Sequence, residues 1–475
     1  MKTAITTRSF TNSRDGANLN ETILTNTAVG TKGIQRILTM STHNDARGCE
    51  AQPLLMPNVK MASGEVKDLV ILATMANGIY AYEAGTDKLQ WMVRLNRPIK
   101  GSRAIDGYLI NDYWGILSTP VIDQDSGMLY VVSWSSSDET PQKSKFTLYE
   151  IDISTGRIVE YLDLTGVSYD PGHGLPIQKF SSAARKQRCS LLLDHDYIYI
   201  GFGTIAETSK TAQGWIIAVE SNSMEVAGAI TTTANGSGAG LWQAGQGLVA
   251  DAAGNVYGMT GNGSFDGITD FGESFFKIGW LKGKLVFLDW WSPFSDAGRE
   301  GKDPTTHPQP VAKIEKGKFG HLSPTGVDLD GDDDDDDNAN PTNIRNYAAM
   351  DMGGYDDMDL GSGGPLLIEE LGLIIGAGKD GIAYVLNKDN MGKTKPQDFA
   401  DPANNYKKLA SPPIWFTYFP GFDKNAAPKN FTDLNFLYQG KTHHQHSTPV
   451  YYKSAKNGRL LFTMGENERL RVWRI

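Results

Sequence analysis

The sequence is short of cysteine, of long apolar runs and of positive charge. Its 475 residues hold two cysteines, Cys49 and Cys189. That excludes a disulfide framework and leaves either one bridge or two buried thiols. No run approaches the roughly 18 apolar residues of a membrane span. The formal net charge of -10 argues against nonspecific binding to nucleic acid or to an anionic membrane. Residues 6–20 are polar, so no apolar h-region follows Met1, and the sequence as it stands predicts no secretory signal. No long stretch carries an apolar stripe at helical period, which excludes a helical framework. Neither a Gly-x-Ser-x-Gly elbow nor a phosphate-binding glycine loop is present, which removes the common hydrolase and nucleotide signatures.

What the chain does hold is glycine, 52 residues, with 10 Trp, 19 Tyr and 18 Phe. Glycine-rich turns and many aromatics suit an all-β protein of short strands. One segment type recurs: a small or polar residue, often with Pro, opens a short apolar strand. The six copies are Ala51-Gln52-Pro53-Leu54-Leu55, Ser118-Thr119-Pro120-Val121-Ile122, Cys189-Ser190-Leu191-Leu192-Leu193, Gly245-Gln246-Gly247-Leu248-Val249, Gly363-Gly364-Pro365-Leu366-Leu367 and Ser447-Thr448-Pro449-Val450-Tyr451. Copies lead through a turn into a second strand that is apolar almost throughout, as at 69–73, 128–132, 197–201 and 373–377. Such a run reads as a strand buried on both faces. A third strand, as at 79–83, 148–152, 216–220 and 383–387, ends in an acidic or amide residue whose side chain fixes a turn. A variable fourth strand follows, as at 89–93.

This pattern predicts a single all-β domain over 1–475, a β-propeller of six four-stranded blades. Seven or eight blades are the alternative, because the long insertion at about 292–358 has room for a degenerate one. The last copy lacks a fourth strand, and the apolar segment 34–38 is expected to supply it. Closure of that kind removes the free blade edge.

The segment Tyr82-Glu83-Ala84-Gly85-Thr86-Asp87-Lys88-Leu89-Gln90-Trp91 resembles the repeat of pyrroloquinoline-quinone (PQQ) propellers. The whole chain is similar to bacterial, usually secreted, quinoprotein-like propellers of unassigned activity. The matching stretches run in order from Arg14-Asp15-Gly16-Ala17-Asn18-Leu19-Asn20-Glu21-Thr22 through Thr260-Gly261-Asn262-Gly263-Ser264-Phe265-Asp266, Gly361-Ser362-Gly363-Gly364-Pro365 and Gly376-Ala377-Gly378-Lys379-Asp380-Gly381 to Gly465-Glu466-Asn467-Glu468-Arg469-Leu470-Arg471. The resemblance implies export to the periplasm or the cell exterior. The missing leader leaves a cytosolic or virion-borne protein open. It also implies PQQ and calcium as cofactors. Two departures weigh against PQQ: no two cysteines are adjacent, as several such dehydrogenases require beside the cofactor ring, and most blades lack the repeat's Trp.

Residues just before each first strand are expected to line a central channel. They include Glu50, Gln52, Trp114, Arg185, Arg188, Trp242, Gln243, Asp359, Ser362, His443, His444 and His446, a polar and aromatic set converging on one axis. Trp242, Gln243, Trp114 and Arg188 are the candidates to hold a cofactor. His444 and His446, two apart on an extended segment, share a side, and with Glu50 they are the candidate catalytic groups. Separately, Asp328, Asp330, Asp332, Asp334 and Asp336 place alternate carboxylates around Gly331, as a calcium loop does. The bidentate Glu of an EF-hand is missing, since position 339 is Ala. A solvated acidic loop is the alternative.

Two functions fit. The favoured one is a noncatalytic binding or assembly module, presenting a propeller face to a protein or carbohydrate ligand. The other is a PQQ- and calcium-dependent oxidoreductase acting on sugars or alcohols.

Overall fold

The computed structural model describes residues 3–43, 45, 48–105, 109, 111–205, 211–293, 359–379, 382–395, 415–418, 445–465 and 470–475. Besides two two-stranded sheets, Ile99–Lys100 with Tyr113–Trp114 and Ser168–Tyr169 with Gln178–Lys179, six larger antiparallel sheets are described along the chain, each paired in chain order. The first holds Leu54–Lys60, Val66–Ala73, Gly78–Glu83 and Leu89–Arg94. The second holds Val121–Asp123, Met128–Ser136, Ser144–Asp152 and Ile158–Asp163. The third runs Leu192–Asp194, Tyr197–Thr204, Trp215–Glu220 and Glu225–Thr231, with Arg185–Lys186 added beside the second of these. The fourth holds Val249–Ala250, Val256–Met259, Phe275–Leu281 and Lys284–Trp291. The fifth holds Leu366–Ile368, Leu373–Ala377, Ile382–Asn387 and Trp415–Tyr418, and the sixth has three strands, Val450–Ser454, Gly458–Thr463 and Arg471–Arg474. Among the described residues helix is confined to Asn26–Lys32, capped by Thr25, and short 3₁₀ turns.

The sheets stack face to face because their middle strands are apolar on both sides. Tyr197–Thr204 is buried at every position after the first. One core cluster joins Tyr130, Trp134 and Phe146 of the second sheet to Ile198, Phe202 and Trp215 of the third. Another joins Leu69 and Ile71 to Leu129 and Tyr149, between the first two sheets. Tyr199 and Ile216 meet Val256 and Phe276 between the third and fourth, and Ile375 meets Leu461 between the fifth and sixth. At one such seam Trp91 lies on Gly156 and its indole N–H donates to Ile153 O at 2.8 Å. Gly156 sits at φ +73, and a Cβ there would stand 2.7 Å from the Trp91 ring.

From the second sheet to the sixth, the first strands neighbour one another in turn. The first strands of all six described sheets also bond to one N-terminal segment, in chain order. Ile5 exchanges N–H···O bonds of 2.7 and 2.9 Å with Leu55, and Ile122 N–H donates to Thr6 O at 2.8 Å. The Asn12 side-chain amide donates to Leu193 O at 2.7 Å. Ala250, Leu367 and Tyr451 N–H donate to Asn12, Ser13 and Asp15 O at 3.0, 3.0 and 2.9 Å. Innermost strands would otherwise carry an unpaired edge of backbone groups, and this segment pairs part of it. The sheets are therefore arranged around a common axis as propeller blades, with residues 5–15 as the hub.

The expected closing strand is not found where the sequence placed it. Residues 34–38 carry no strand, and Ile34 and Ile37 are 86% and 82% exposed. Among the described residues the sixth sheet therefore keeps three strands, and the N-terminal region joins the blades at the hub instead of at the rim. Cys49 and Cys189 are both free thiols, Cys49 exposed and Cys189 buried, so the thiols are not two buried ones and no bridge links them. The insertion at about 292–358 is described only to residue 293.

Candidate functional site at the propeller axis

The hub organises the axis through Arg14, whose side chain is fully buried. Its guanidinium donates to Leu191 O at 2.9 Å, Leu248 O at 3.1 Å and Arg8 O at 2.9 Å, and also to Thr7 Oγ1. It thus ties the hub to the third and fourth sheets and bends the hub back on itself. Burial lowers its pKa to about 9, which still leaves it charged at neutral pH. Ser9, Phe10 and Arg14 hold φ of 53, 72 and 57, left-handed values that non-glycine residues adopt only where surroundings fix them.

Above this layer the hub presents Arg8. Its Nε donates to Gln246 Oε1 at 3.4 Å, and Ser9 Oγ donates to the same oxygen at 2.9 Å. Ser9 N–H donates to Gln52 Oε1 at 3.1 Å. Arg188 stands close by: its carbonyl packs near Gly245, and its Nε lies 3.9 Å from Glu50 Oε2. Asn111 donates to Glu50 Oε1 at 3.1 Å. The Arg8 pKa is lowered by burial and then by the like charge of Arg188. Arg14 is lowered further by Arg8. Three guanidiniums thus share the axis, with Glu50 the carboxylate paired to one of them, in a chain whose overall charge is negative.

Of the residues predicted for the channel, Glu50, Gln52 and Arg188 come together around Arg8 and Gln246. Trp242 and Asp359 meet over Gly261, where a Cβ would touch both side chains. The Trp242 ring also lies on Gly203 and Gly240. Asp359 Oδ1 accepts Asn262 N–H at 2.7 Å, and Oδ2 lies 3.9 Å from Lys379 Nζ. His446 is exposed beside buried Gln445, whose N–H donates to Gly378 O at 3.0 Å. Ser362 donates to Gln445 O at 2.9 Å.

Others serve the framework. Trp114 is 5% exposed in the core between the second and third sheets, with Lys186 Nζ 4.7 Å from its ring centroid. Gln243 is fully buried, donates to Met259 O at 3.0 Å and accepts from Cys189 Sγ at 3.7 Å. Arg185 is 2% exposed and donates to Ala184 O and Thr211 O. His443, His444 and the run Asp328 to Asp336 lie outside the described residues. Among the described residues no group of three or more His, Cys, Asp or Glu side chains could hold a metal ion. Of the carboxylates expected at the axis, Glu50 faces Arg188 and Asp359 faces Lys379, so these two do not by themselves make a divalent-metal site beside a quinone.

Sequence reasoning missed Arg8 and Arg14. They lie in the polar stretch that forms the hub, and that stretch carries no strand or helix period.

Comparison with protein-family models and with curated proteins finds no match. Among solved structures, the chain is similar to a quinohemoprotein alcohol dehydrogenase from Comamonas testosteroni, at 14% identity and a TM-score of 0.48, covering 88% of this chain and 51% of that one. It is similar to BamB from Moraxella catarrhalis at 10% identity and a TM-score of 0.39, covering 92% and 83%. It is similar to a europium-containing methanol dehydrogenase at 10% identity and a TM-score of 0.31, covering 91% and 85%. The chain spans about half the length of the alcohol dehydrogenase.

Proposed function

We propose that this propeller is a noncatalytic binding module whose axial guanidinium cluster takes an acidic group of a protein partner. The observation that supports this most is the cluster of Arg8, Arg14 and Arg188 with Glu50 as the paired carboxylate. Like charges held together in a half-buried place raise one another's free energy. An incoming carboxylate relieves that repulsion and accepts guanidinium donors in a fork that suits it. The hub favours binding over chemistry, since it fills the axis with protein hydrogen bonds. Two side chains expected to hold a cofactor, Gln243 and Trp114, are packed into the framework instead. An extracellular or periplasmic location agrees with this reading, and no helix among the described residues is long and apolar enough to cross a membrane.

The test is calorimetric titration with a glutamate-rich peptide. Saturable binding is expected, weakened at least about ten-fold, or ~1.4 kcal/mol, in the variant carrying Arg8→Gln and Arg188→Gln. Absence of binding, or equal binding by the variant, refutes the assignment.

A second reading, an oxidoreductase with a quinone bound near the axis, draws on one feature. Trp242 offers a half-buried aromatic face near Asp359 and Gly261, which a planar ring could stack on. Its calcium would have to come from residues beyond Glu50 and Asp359, the run Asp328 to Asp336 being the sequence's candidate. His446 with Glu50 would then be the groups to move a proton, and His446→Ala would abolish dye reduction.

A further inference from the structure

We propose that the cleft between the rims of the fourth and fifth sheets is a second binding site, off the axis, for a doubly charged tetrahedral oxyanion: a phosphate or sulfate group. The cleft has a volume of about 530 Å³ and is lined by Lys277, Asp289, Asn390, Lys393 and Lys395, among others. Lys277 comes from the third strand of the fourth sheet, and Lys393 from the segment that follows the fifth sheet's Ile382–Asn387. A ligand held by both therefore bridges two blades.

The two lysines are placed but not neutralised. Lys277 Nζ lies 5.5 Å from the ring centroid of Tyr257, and Lys393 Nζ lies 5.5 Å from that of Trp290. Neither ammonium has a carboxylate partner among the described residues. An aromatic face beneath an ammonium orients it yet leaves its outer N–H groups unused.

Among the described residues the acidic side chains of the cleft form no ion pair with either lysine. Asp289 Oδ1 accepts the N–H groups of Trp290, Gly392 and Lys393 at 2.9, 3.2 and 3.2 Å, and Oδ2 accepts that of Met391 at 2.7 Å. Its oxygens are turned into the backbone. Asp389 lies 2.8 Å from Lys388, which also reaches Asp251 at 3.2 Å. The walls are fixed as well. Trp290 Nε1–H donates to Thr394 O at 2.9 Å, Lys393 N–H to Trp290 O at 3.0 Å, and Tyr257 O–H to Asp251 at 2.8 Å. Two pre-positioned ammonium groups with the Asn390 amide beside them suit an anion carrying several acceptor oxygens and two charges, for which lysine acts as a point charge.

The experiment is calorimetry on the full chain with inorganic phosphate and, separately, inorganic sulfate. One-site saturable binding is expected for at least one of them. The variant carrying Lys277→Gln and Lys393→Gln should bind at least about ten-fold more weakly. The control carrying Lys282→Gln and Lys284→Gln, exposed residues of the same sheet's outer hairpin, should bind as the parent does. Phosphate binding should strengthen as pH rises through neutrality and inorganic phosphate loses its second proton, while sulfate binding should not. No saturable heat with either anion up to about 10 mM, a concentration that would reveal even millimolar affinity, overturns the proposal. Equal weakening in the control also overturns it. Arg8→Gln with Arg188→Gln should leave this binding unchanged, which separates it from the axial reading.

Discussion

Arg14→Ala is the perturbation that most severely loads the hub. Arg14 is fully buried and gives hydrogen bonds to Leu191 O, Leu248 O, Arg8 O and Thr7 Oγ1. A hydrogen bond from a charged donor contributes about 1.5–3 kcal/mol net, but four on one group do not add. Truncation also withdraws the donor from the carbonyls just before two inner strands and leaves a cavity the size of a guanidinium stem, at about 2–5 kcal/mol for large-to-small core changes. Against this stands relief of the cost of burying a cation. The balance is a loss of about 3–5 kcal/mol. Urea unfolding followed by tryptophan fluorescence checks it, with the variant's midpoint lowered and its slope unchanged. Arg14→Lys should lose about half as much, because an ammonium reaches some of the four acceptors but not all. A loss below about 1 kcal/mol for Arg14→Ala would refute the idea that the hub couples the blades.

Three further outcomes follow from the same geometry. Gly156→Ala should destabilise by about 1–3 kcal/mol in the same unfolding assay, because φ is +73 and the new Cβ meets the Trp91 ring. Glu370, which accepts Tyr451 O–H, Lys453 and Arg459 across the fifth and sixth sheets, has its pKa lowered from 4.5 to about 2 by these partners. Its contribution is therefore full above about pH 4.5 and is lost as pH falls through 2, so Glu370→Gln should lower thermal stability at pH 7 and converge with the parent near pH 2. Because Glu370 is exposed, that difference should shrink in high salt. Tyr257→Phe should cost about 1–2 kcal/mol, since it removes the donor that Asp251 Oδ2 accepts at 2.8 Å.

The blades were legible because their signal is periodic and repeated. Residues 373–377, read as a strand buried on both faces, form the strand Leu373–Ala377, and 79–83 and 216–220 each lack one residue of the observed strands. Asp152 and the turn after it behave as the residue types imply, with Ser154 N–H donating to Asp152 Oδ1 at 2.8 Å. The axis was legible only in part. Glu50 and Arg188 were placed near it by their position before a first strand, but the same position put Trp114 and Gln243 into the framework. A residue outside the strand has no pleat to set its direction, so sidedness is decided by packing. The hub left almost no trace, because its residues turn from one sheet to the next along the segment and no period can arise. Residues 34–38 misled for the opposite reason: an apolar segment looks like a strand, but the structure leaves it unpaired and exposed.

The central claim is that the axis binds a partner's acidic group and carries no quinone chemistry. Equilibrating the full chain with PQQ and calcium, removing the excess and recording both the absorption spectrum and dye reduction with alcohols and sugars tests it most directly. The account predicts a spectrum of protein alone and no dye reduction. A stoichiometric quinone band together with substrate-dependent dye reduction would contradict it.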